Sequence, residues 1–210
     1  MKTLLHPTYF PDIATFATIV QNDVKWEVKD NYQKQTYRNR CYIATDFGRH
    51  MLSIPIRHVG GKEGRQKYND VLLDNSYQWQ RQHWRTLQTA YRTSPFFEFY
   101  EDDIAPLFEK KFDLLLDYNL KTIATIADCL QIAMPLEKSQ NFERTPQALI
   151  DARFLVNAKK NPLLEQASYV QVFGDRHGFI KNCSILDLLF NEGTNALGYL
   201  QNLHLSFLNA

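Results

Sequence analysis

The first thirty residues constrain the fold more than any other stretch. Residues 2–6 form a short apolar run, residues 12–22 carry apolar side chains at helical spacing after the capping residue Asp12, and residues 24–29 alternate with period two. A strand, a helix and a second strand in this order usually pair their strands in parallel through a right-handed crossover. We therefore predict an α/β fold with a Rossmann-like β-α-β opening.

Two prolines shape the connection between the first strand and the helix. Pro7 and Pro11 fix their own φ angles and bias His6 and Phe10 towards extended conformations, so the segment HPTYFP should form a rigid bend. A strand that turns sharply into a helix N-terminus is a common place to hold an anion or a polar substrate. His6 and Tyr9 are therefore candidate site residues.

The rest of the chain predicts a mixed sheet, a hairpin and a helix-rich second half. We expect one domain, residues 1–210, strand-rich over 1–75 and mainly helical over 76–210. The expected elements are, first, a hairpin over 42–56 turning near Gly48, a strand over 68–74 and a helix from Trp79 ended by Pro95. They are followed by one or two helices over 104–132 with a break at 117–119, a helix opened by Thr145 and Pro146, a strand over 168–174, and a helix over 184–193 ended by Gly193.

Composition narrows the class of protein. The formal net charge of +1 gives no general attraction to nucleic acid or to an anionic membrane, and no window is long enough for a signal peptide or membrane insertion. Three widely spaced cysteines without a CxxC motif indicate reduced thiols, and so a cytoplasmic protein. The six histidines lack metal-ligand spacing, so we expect no metal site, and no nucleotide-binding motif identifies a cofactor.

Arg38, Asn39 and Arg40 form the first constellation that could carry chemistry. Two arginines one residue apart on an extended segment point the same way, and together they could grip a carboxylate or a phosphate. The alternative is a solvated polar entry to the hairpin.

His83 is the second candidate. It shares one helix face with Trp79 and Leu87, so its imidazole should point inward. A general base that titrates near neutral pH and a hydrogen-bonded core residue are both open interpretations.

Asp187 follows Ser184 by three residues, immediately before an apolar run. This spacing is close to a helix capping box, which usually has Glu or Gln in the last position. Capping is a stronger explanation of the pair than a catalytic role for Asp187.

Taken together, these landmarks resemble the WbqC-like protein family. The resemblance lies in HPTYFPDIATF, YRNRCYI, LSIPI, WQRQHWRTLQTAYRTSPFF and FIKNCSILDLLFNEG, with Tyr169 and Gln171 just before the last motif. The family's usual Gln in the opening motif is His6 here, and residues 132–168 form a shorter segment than in longer members. The resemblance adds Trp79, Tyr91 and Asp187 to the substrate-binding candidates, beside Tyr9, Arg38, Asn39 and Arg40.

The resemblance implies a component of surface-polysaccharide biosynthesis. One hypothesis is a cytoplasmic group transferase that moves an aminoacyl (such as glycyl) or acyl group to an activated sugar, with His83 and His6 as catalytic residues. The other is a non-catalytic protein that binds a nucleotide sugar or acts as a scaffold in the same pathway. A small-molecule ligand is expected in both hypotheses, and a homodimer remains open.

Convergence of the candidate side chains distinguishes the two hypotheses. If His6, Tyr9, Arg40 and His83 share one concave pocket, the enzyme is favoured; if they are scattered, the binding protein is favoured. We expect Arg40 and His83 to face one cleft, so that Arg40 supports ligand affinity and His83 supports turnover.

Overall fold

The computed structural model describes residues 2–57, 66–159 and 162–209. Its strands are β1 (Lys2–Leu5), β2 (Val24–Trp26), β3 (Arg40–Thr45), β4 (Gly48–Ser53) and β5 (Leu149–Asp151). Its α-helices are α1 (Ile13–Gln21), α2 (Trp79–Tyr91), α3 (Phe97–Ile104), α4 (Pro106–Glu109), α5 (Leu115–Cys129), α6 (Gly174–His177), α7 (Ile185–Glu192) and α8 (Asn195–Gln201). The α/β class and the helix-rich second half are confirmed.

A parallel three-stranded sheet, in the order β2-β1-β5, organises the first half of the chain. Thr3 pairs with Val24 on one side of β1 and with Ile150 on the other. The predicted β-α-β opening is therefore confirmed, and β5 brings a segment about 145 residues away in the chain to the other edge of β1. All three strands end at the same edge of the sheet because all three run in the same direction.

The hairpin forms a separate two-stranded antiparallel sheet. The predicted hairpin forms with its turn at the predicted place, but its strands β3 and β4 pair from Arg40–Ser53 to Thr45–Gly48, so it begins and ends earlier than the predicted 42–56. Gly48 has a φ of +89°, a left-handed conformation that glycine adopts without a Cβ clash. The parallel strand pairs therefore lie in one sheet and the antiparallel strand pair lies in the other.

The helices pack around a largely aromatic and aliphatic core. In α2 the buried residues are Trp79, His83, Leu87, Ala90 and Tyr91, which is the face that the helical spacing predicts. Gly193 ends α7 as predicted, with a φ of +56°, and an added Cβ there would clash with the Phe96 ring. Close packing of that ring therefore requires glycine at this position.

Four predicted elements differ in the structure. Residues 68–74 contain one turn of 3-10 helix (Tyr68–Asp70) and single bridges instead of a strand. The segment after Pro146 forms β5 and a 3-10 helix over Arg153–Val156 instead of an α-helix. Residues 168–174 are not a strand, and the expected break at 117–119 lies inside α5, because the chain is interrupted earlier, between α4 and α5.

Candidate functional site

A polar cavity of about 570 Å³ opens at the carboxyl edge of the parallel sheet. We call it the sheet-edge cavity; its polar walls include His6, Asp30, Arg38, Asp151 and Arg153. His6 directly follows β1, and Arg153 lies two residues beyond β5. Open parallel sheets bind ligands at this edge, at the point where the strand order reverses. In this sheet that point is β1, which lies between β2 and β5. The cavity therefore occupies the position at which such a fold presents a ligand site.

Arg38 is the central charged group of the sheet-edge cavity, and its side chain is 0% exposed. Its Nη2 donates to Asp30 Oδ2 at 2.9 Å and lies 3.0 Å from His6 Nε2. The guanidinium also lies over the Tyr68 ring, 5.1 Å from its centroid. Burial lowers the pKa of Arg38, whereas Tyr68 and Asp30 raise it. The ion pair with Asp30 compensates the charge.

The other two nitrogens of Arg38, Nε and Nη1, have no hydrogen-bond partner among residues 2–57, 66–159 and 162–209. An unpaired buried donor costs free energy, so native proteins usually satisfy such groups. A guanidinium that lines a cavity and has free N–H groups is equipped to bind an oxygen acceptor.

Arg153, the second guanidinium of the cavity, differs because its donors are occupied. Its Nε and Nη2 bind the two carboxylate oxygens of Asp151 at 2.8 and 2.6 Å. Its Nη1 and Nη2 also donate to the backbone carbonyls of Glu143 and Arg144. Arg153 therefore forms part of the wall, and Arg38 holds the free donors.

His6 contributes a neutral imidazole. Its Nδ1 lies 3.2 Å from the Glu27 carbonyl oxygen, and its Nε2 lies 3.4 Å from Asp30 Oδ2. Burial, followed by the positive charge of Arg38, lowers the pKa of His6 well below its usual value. The ring is therefore uncharged at neutral pH, although a carboxylate lies nearby.

The structure separates Arg40 from Arg38. Thr36–Asn39 form a turn, in which the Asn39 amide donates to the Thr36 carbonyl at 3.4 Å, so the segment is not extended and the two arginines do not point the same way. Asn39 and Arg40 line a second cavity of about 520 Å³. The expectation of a joint grip by both arginines is therefore wrong.

Tyr9, Trp79 and His83 lie in the interior. The Tyr9 hydroxyl is 2.9 Å from His83 Nδ1, and the rings of Trp79 and His83 are 5.3 Å apart. Burial lowers the pKa of His83 to about 4, and a hydrogen bond to the backbone of Ser53 opposes this only in part. The expectation that His83 titrates near neutral pH is wrong, because the ring is desolvated.

Tyr91 and Asp187 form a buried cluster away from both cavities. The Asp187 carboxylate accepts hydrogen bonds from Tyr91 at 2.7 Å, from Gln171 at 2.7 Å and from the Tyr169 hydroxyl. Ser184 caps α7 as predicted, by accepting from the Leu186 amide. Asp187 takes no part in the cap, because the Ser184 amide donates to the Tyr42 carbonyl instead.

The N-terminus of α1 is satisfied within the protein. Asp12 accepts from the Thr15 amide, Asn182 Oδ1 accepts from the Ala14 amide, and the Cys183 carbonyl accepts from the Ile13 amide. The bend before α1 therefore does not offer its helix end to an anion. His6, at the start of that bend, lines the sheet-edge cavity.

The sequence did not single out Asp30, Asp151 or Arg153. Asp30 lies in the polar segment that follows β2. This position is the sequence feature that could have identified it as a site residue. No sequence feature indicates Asp151 and Arg153 as site residues, because the residues of β5 are predicted to be part of a helix. Nowhere in the described ranges do three or more His, Cys, Asp or Glu side chains form a group that could hold a metal ion. No helix that the structure describes is long and apolar enough to cross a membrane.

The fold and the site define an α/β protein with a polar ligand cavity at the carboxyl edge of a short parallel sheet. The chain belongs to the WbqC-like protein family, whose model matches residues 6–162. It is also similar to the uncharacterized protein Rv1507c of Mycobacterium tuberculosis (strain ATCC 25618 / H37Rv), with 26% identity over 199 residues, covering 81% of this chain and 84% of the relative. No solved structure matches significantly.

Proposed function

We propose that this protein binds a nucleotide-activated sugar in the cytoplasmic steps of surface-polysaccharide biosynthesis, with the sugar portion in the sheet-edge cavity. The observation that carries the proposal is Arg38, a fully buried guanidinium whose Nε and Nη1 are free of partners within the described residues. Arg38 lines the cavity, but these two nitrogens are themselves buried, so a hydroxyl or carbonyl oxygen of the ligand would have to enter beside the guanidinium to accept from them.

The charge balance of the cavity supports a sugar rather than a phosphate there. Two arginines face two aspartates, and each arginine is already paired. A polyhydroxyl group can bind such paired side chains without adding a net charge to a partly buried place. Two half-exposed rings, Phe142 and Phe154, also line the cavity and offer apolar faces to a sugar ring.

The scatter of the candidate residues favours binding without chemistry. His6 lines the sheet-edge cavity, Arg40 lines the other cavity, and Tyr9 and His83 line neither. The usual Gln of the family at the position of His6 cannot act as a base. A catalytic imidazole here would therefore be a property of this chain and not of the family.

Group transfer to the bound sugar is the second candidate, and the neutral imidazole of His6 favours it. A sugar hydroxyl or amine would form the new bond to the acyl or aminoacyl carbon while the bond from that carbon to the donor's leaving group breaks. The proton would pass to His6 and then to the leaving group. Its low pKa makes His6 a weak base, which is a further reason to rank binding first.

Arg38→Lys tests the binding site. Lysine keeps a positive charge for Asp30 but lacks the planar N–H fork, so the affinity for the nucleotide sugar should fall about tenfold or more. Calorimetric titration with a panel of nucleotide sugars measures this, and thermal melting confirms that the variant is folded. Arg81→Gln, at an exposed position of α2, is the control. The proposal fails if no nucleotide sugar binds, or if Arg38→Lys binds as tightly as the native chain.

His6→Gln tests the transferase. Glutamine restores the usual residue of the family and cannot take up a proton, so binding should persist while transfer is lost. The assay follows donor-dependent labelling of the nucleotide sugar with aminoacyl and acyl donors. Absence of labelling by the native chain with every donor, or full labelling by His6→Gln, would reject the catalytic role.

A further inference from the structure

The cavity beside Arg40 is lined by residues that precede and follow Arg38 in the chain. We call it the Arg40 cavity and define it by Tyr32, Lys34, Asn39, Arg40 and Tyr77. Burial raises the pKa of Tyr32 to about 12, and the charges of Arg40 and Arg38 oppose this rise, so the ring lies close to both guanidiniums. The residues of the two cavities do not overlap.

Two residues that line the Arg40 cavity each carry a buried polar atom without a partner in the part of the chain that the structure describes. Asn39 is 8% exposed, and its amide nitrogen donates to the Ile54 carbonyl at 3.0 Å, which leaves Oδ1 unpaired. Arg40 Nε is also buried and unpaired. A ligand that both donates and accepts hydrogen bonds would satisfy the two atoms.

The charge of this cavity differs from that of the sheet-edge cavity. The charged residues that line it are Lys34, Arg40 and one carboxylate, Asp74, whose Oδ1 already accepts from the amide and the hydroxyl of Ser76. These hydrogen bonds lower the pKa of Asp74, so it stays ionised. One positive charge remains uncompensated, which favours an anionic ligand.

Aromatic side chains complete the walls. Tyr32 is half-buried, and Tyr77 is 64% exposed, so its ring face is open to a planar group. Stacking of a nucleobase on an aromatic ring stabilises binding without requiring a particular base. The volume of about 520 Å³ is within the usual range for small-molecule sites.

We propose that the Arg40 cavity is a second ligand site that binds a nucleoside phosphate, with the phosphate on Arg40 and Lys34 and the base against Tyr77. Asn39 Oδ1 accepts from a ribose hydroxyl or a base amine. None of these residues belongs to the sheet-edge cavity, so this site does not depend on the proposed function.

The test is a calorimetric titration of the native chain and its variants with UMP, AMP, ribose 5-phosphate and inorganic phosphate. Arg40→Gln should weaken UMP and AMP about tenfold or more. Tyr77→Ala should weaken the two nucleotides severalfold and leave ribose 5-phosphate unchanged. Arg81→Gln should bind as the native chain does, and melting curves verify that every variant is folded. Because Tyr77 is exposed, its variant keeps the test decisive if Arg40→Gln does not fold.

Three outcomes would overturn the second site. The first is that neither nucleotide binds. The second is that affinity falls with Arg38→Lys rather than with Arg40→Gln, which would place the nucleotide in the sheet-edge cavity. The third is that inorganic phosphate binds as tightly as UMP, since the ring would then contribute nothing. Failure of the sheet-edge proposal is observed in a different titration. There, nucleotide sugars would not bind, or Arg38→Lys would bind them as tightly as the native chain.

Discussion

Replacing Asp187 with Ala should lower the free energy of unfolding by about 4 kcal/mol, because three donors, two of them on buried side chains, would lose their common acceptor. Tyr91, Tyr169 and Gln171 all donate to this carboxylate, which is 0% exposed. Tyr91 and Gln171 would remain buried and Tyr169 half-buried, and Ala offers no oxygen to replace the one removed. Chemical denaturation of the native chain and of the variant measures the difference.

Ser184→Ala is the matched control, since it removes the helix cap and leaves the carboxylate in place. The variant loses the bond between Ser184 and the Leu186 amide and the bond from the Ser184 hydroxyl to the Phe10 carbonyl, which together should cost about 2 kcal/mol. Asp187→Asn keeps the volume and one acceptor oxygen, so its loss should fall between those of the two alanine variants. If Asp187→Ala costs no more than Ser184→Ala, the carboxylate does not organise this part of the core.

The Asp187 cluster shows what motif resemblance can and cannot indicate. Tyr91, Tyr169, Gln171 and Asp187 all stand in motifs that resemble the family, and three of them contact the fourth. Motif membership therefore located interacting residues but did not reveal their role. A buried network and a binding site give the same kind of sequence signal, and only the burial of Asp187 distinguishes them.

Elements whose signals are local were predicted well. Asp12 and the apolar spacing after it specify α1, and Gly48 specifies the hairpin turn, because caps, turns and periodicity depend on near neighbours in the chain. Strand β5 was missed for the opposite reason. It has three residues, follows a helix-start signal at Thr145 and Pro146, and is held by pairing with β1 far away in the chain.

The candidate site was predicted in part, because direction along the chain was misjudged. His6 and Arg38 were both identified, and they lie 3.0 Å apart. Arg40 was placed with Arg38 on the assumption of an extended segment, but the Thr36–Asn39 turn changes the direction of the chain between them. This turn contains no Gly or Pro, the residues that most strongly indicate a turn. The sequence therefore predicts an extended segment, with side chains two residues apart on the same side.

Lowering the pH from 7 to 4 should cost the native chain about 3 kcal/mol of folding free energy through His83 alone. The folded pKa of His83 is about 4, below the usual 6.5, because its ring is buried. Below pH 6.5 the His83 imidazole takes up a proton in the unfolded chain but not in the folded chain. Protonation therefore stabilises the unfolded state relative to the folded state. The contribution of His83 is therefore complete above pH 6.5 and is lost as the pH falls towards 4. His6, whose pKa is also lowered, acts in the same direction.

The His83→Asn variant isolates this contribution, because asparagine can hydrogen-bond to Tyr9 and carries no titrating group. It should be less stable than the native chain at pH 7, since it fills less of the space beside Trp79, but its stability should fall about 3 kcal/mol less between pH 7 and pH 4. Denaturant titrations at several pH values give the free energy of unfolding of both chains as a function of pH. The variant His204→Asn, at an exposed position, controls for the substitution itself. If native and His83→Asn chains lose the same free energy on acidification, the imidazole is not held neutral in the core. Because a group protonated only near pH 4 is a poor proton acceptor at neutral pH, the predicted result also assigns His83 to the core. His6 differs from it in position rather than in basicity, because His6 lines the sheet-edge cavity.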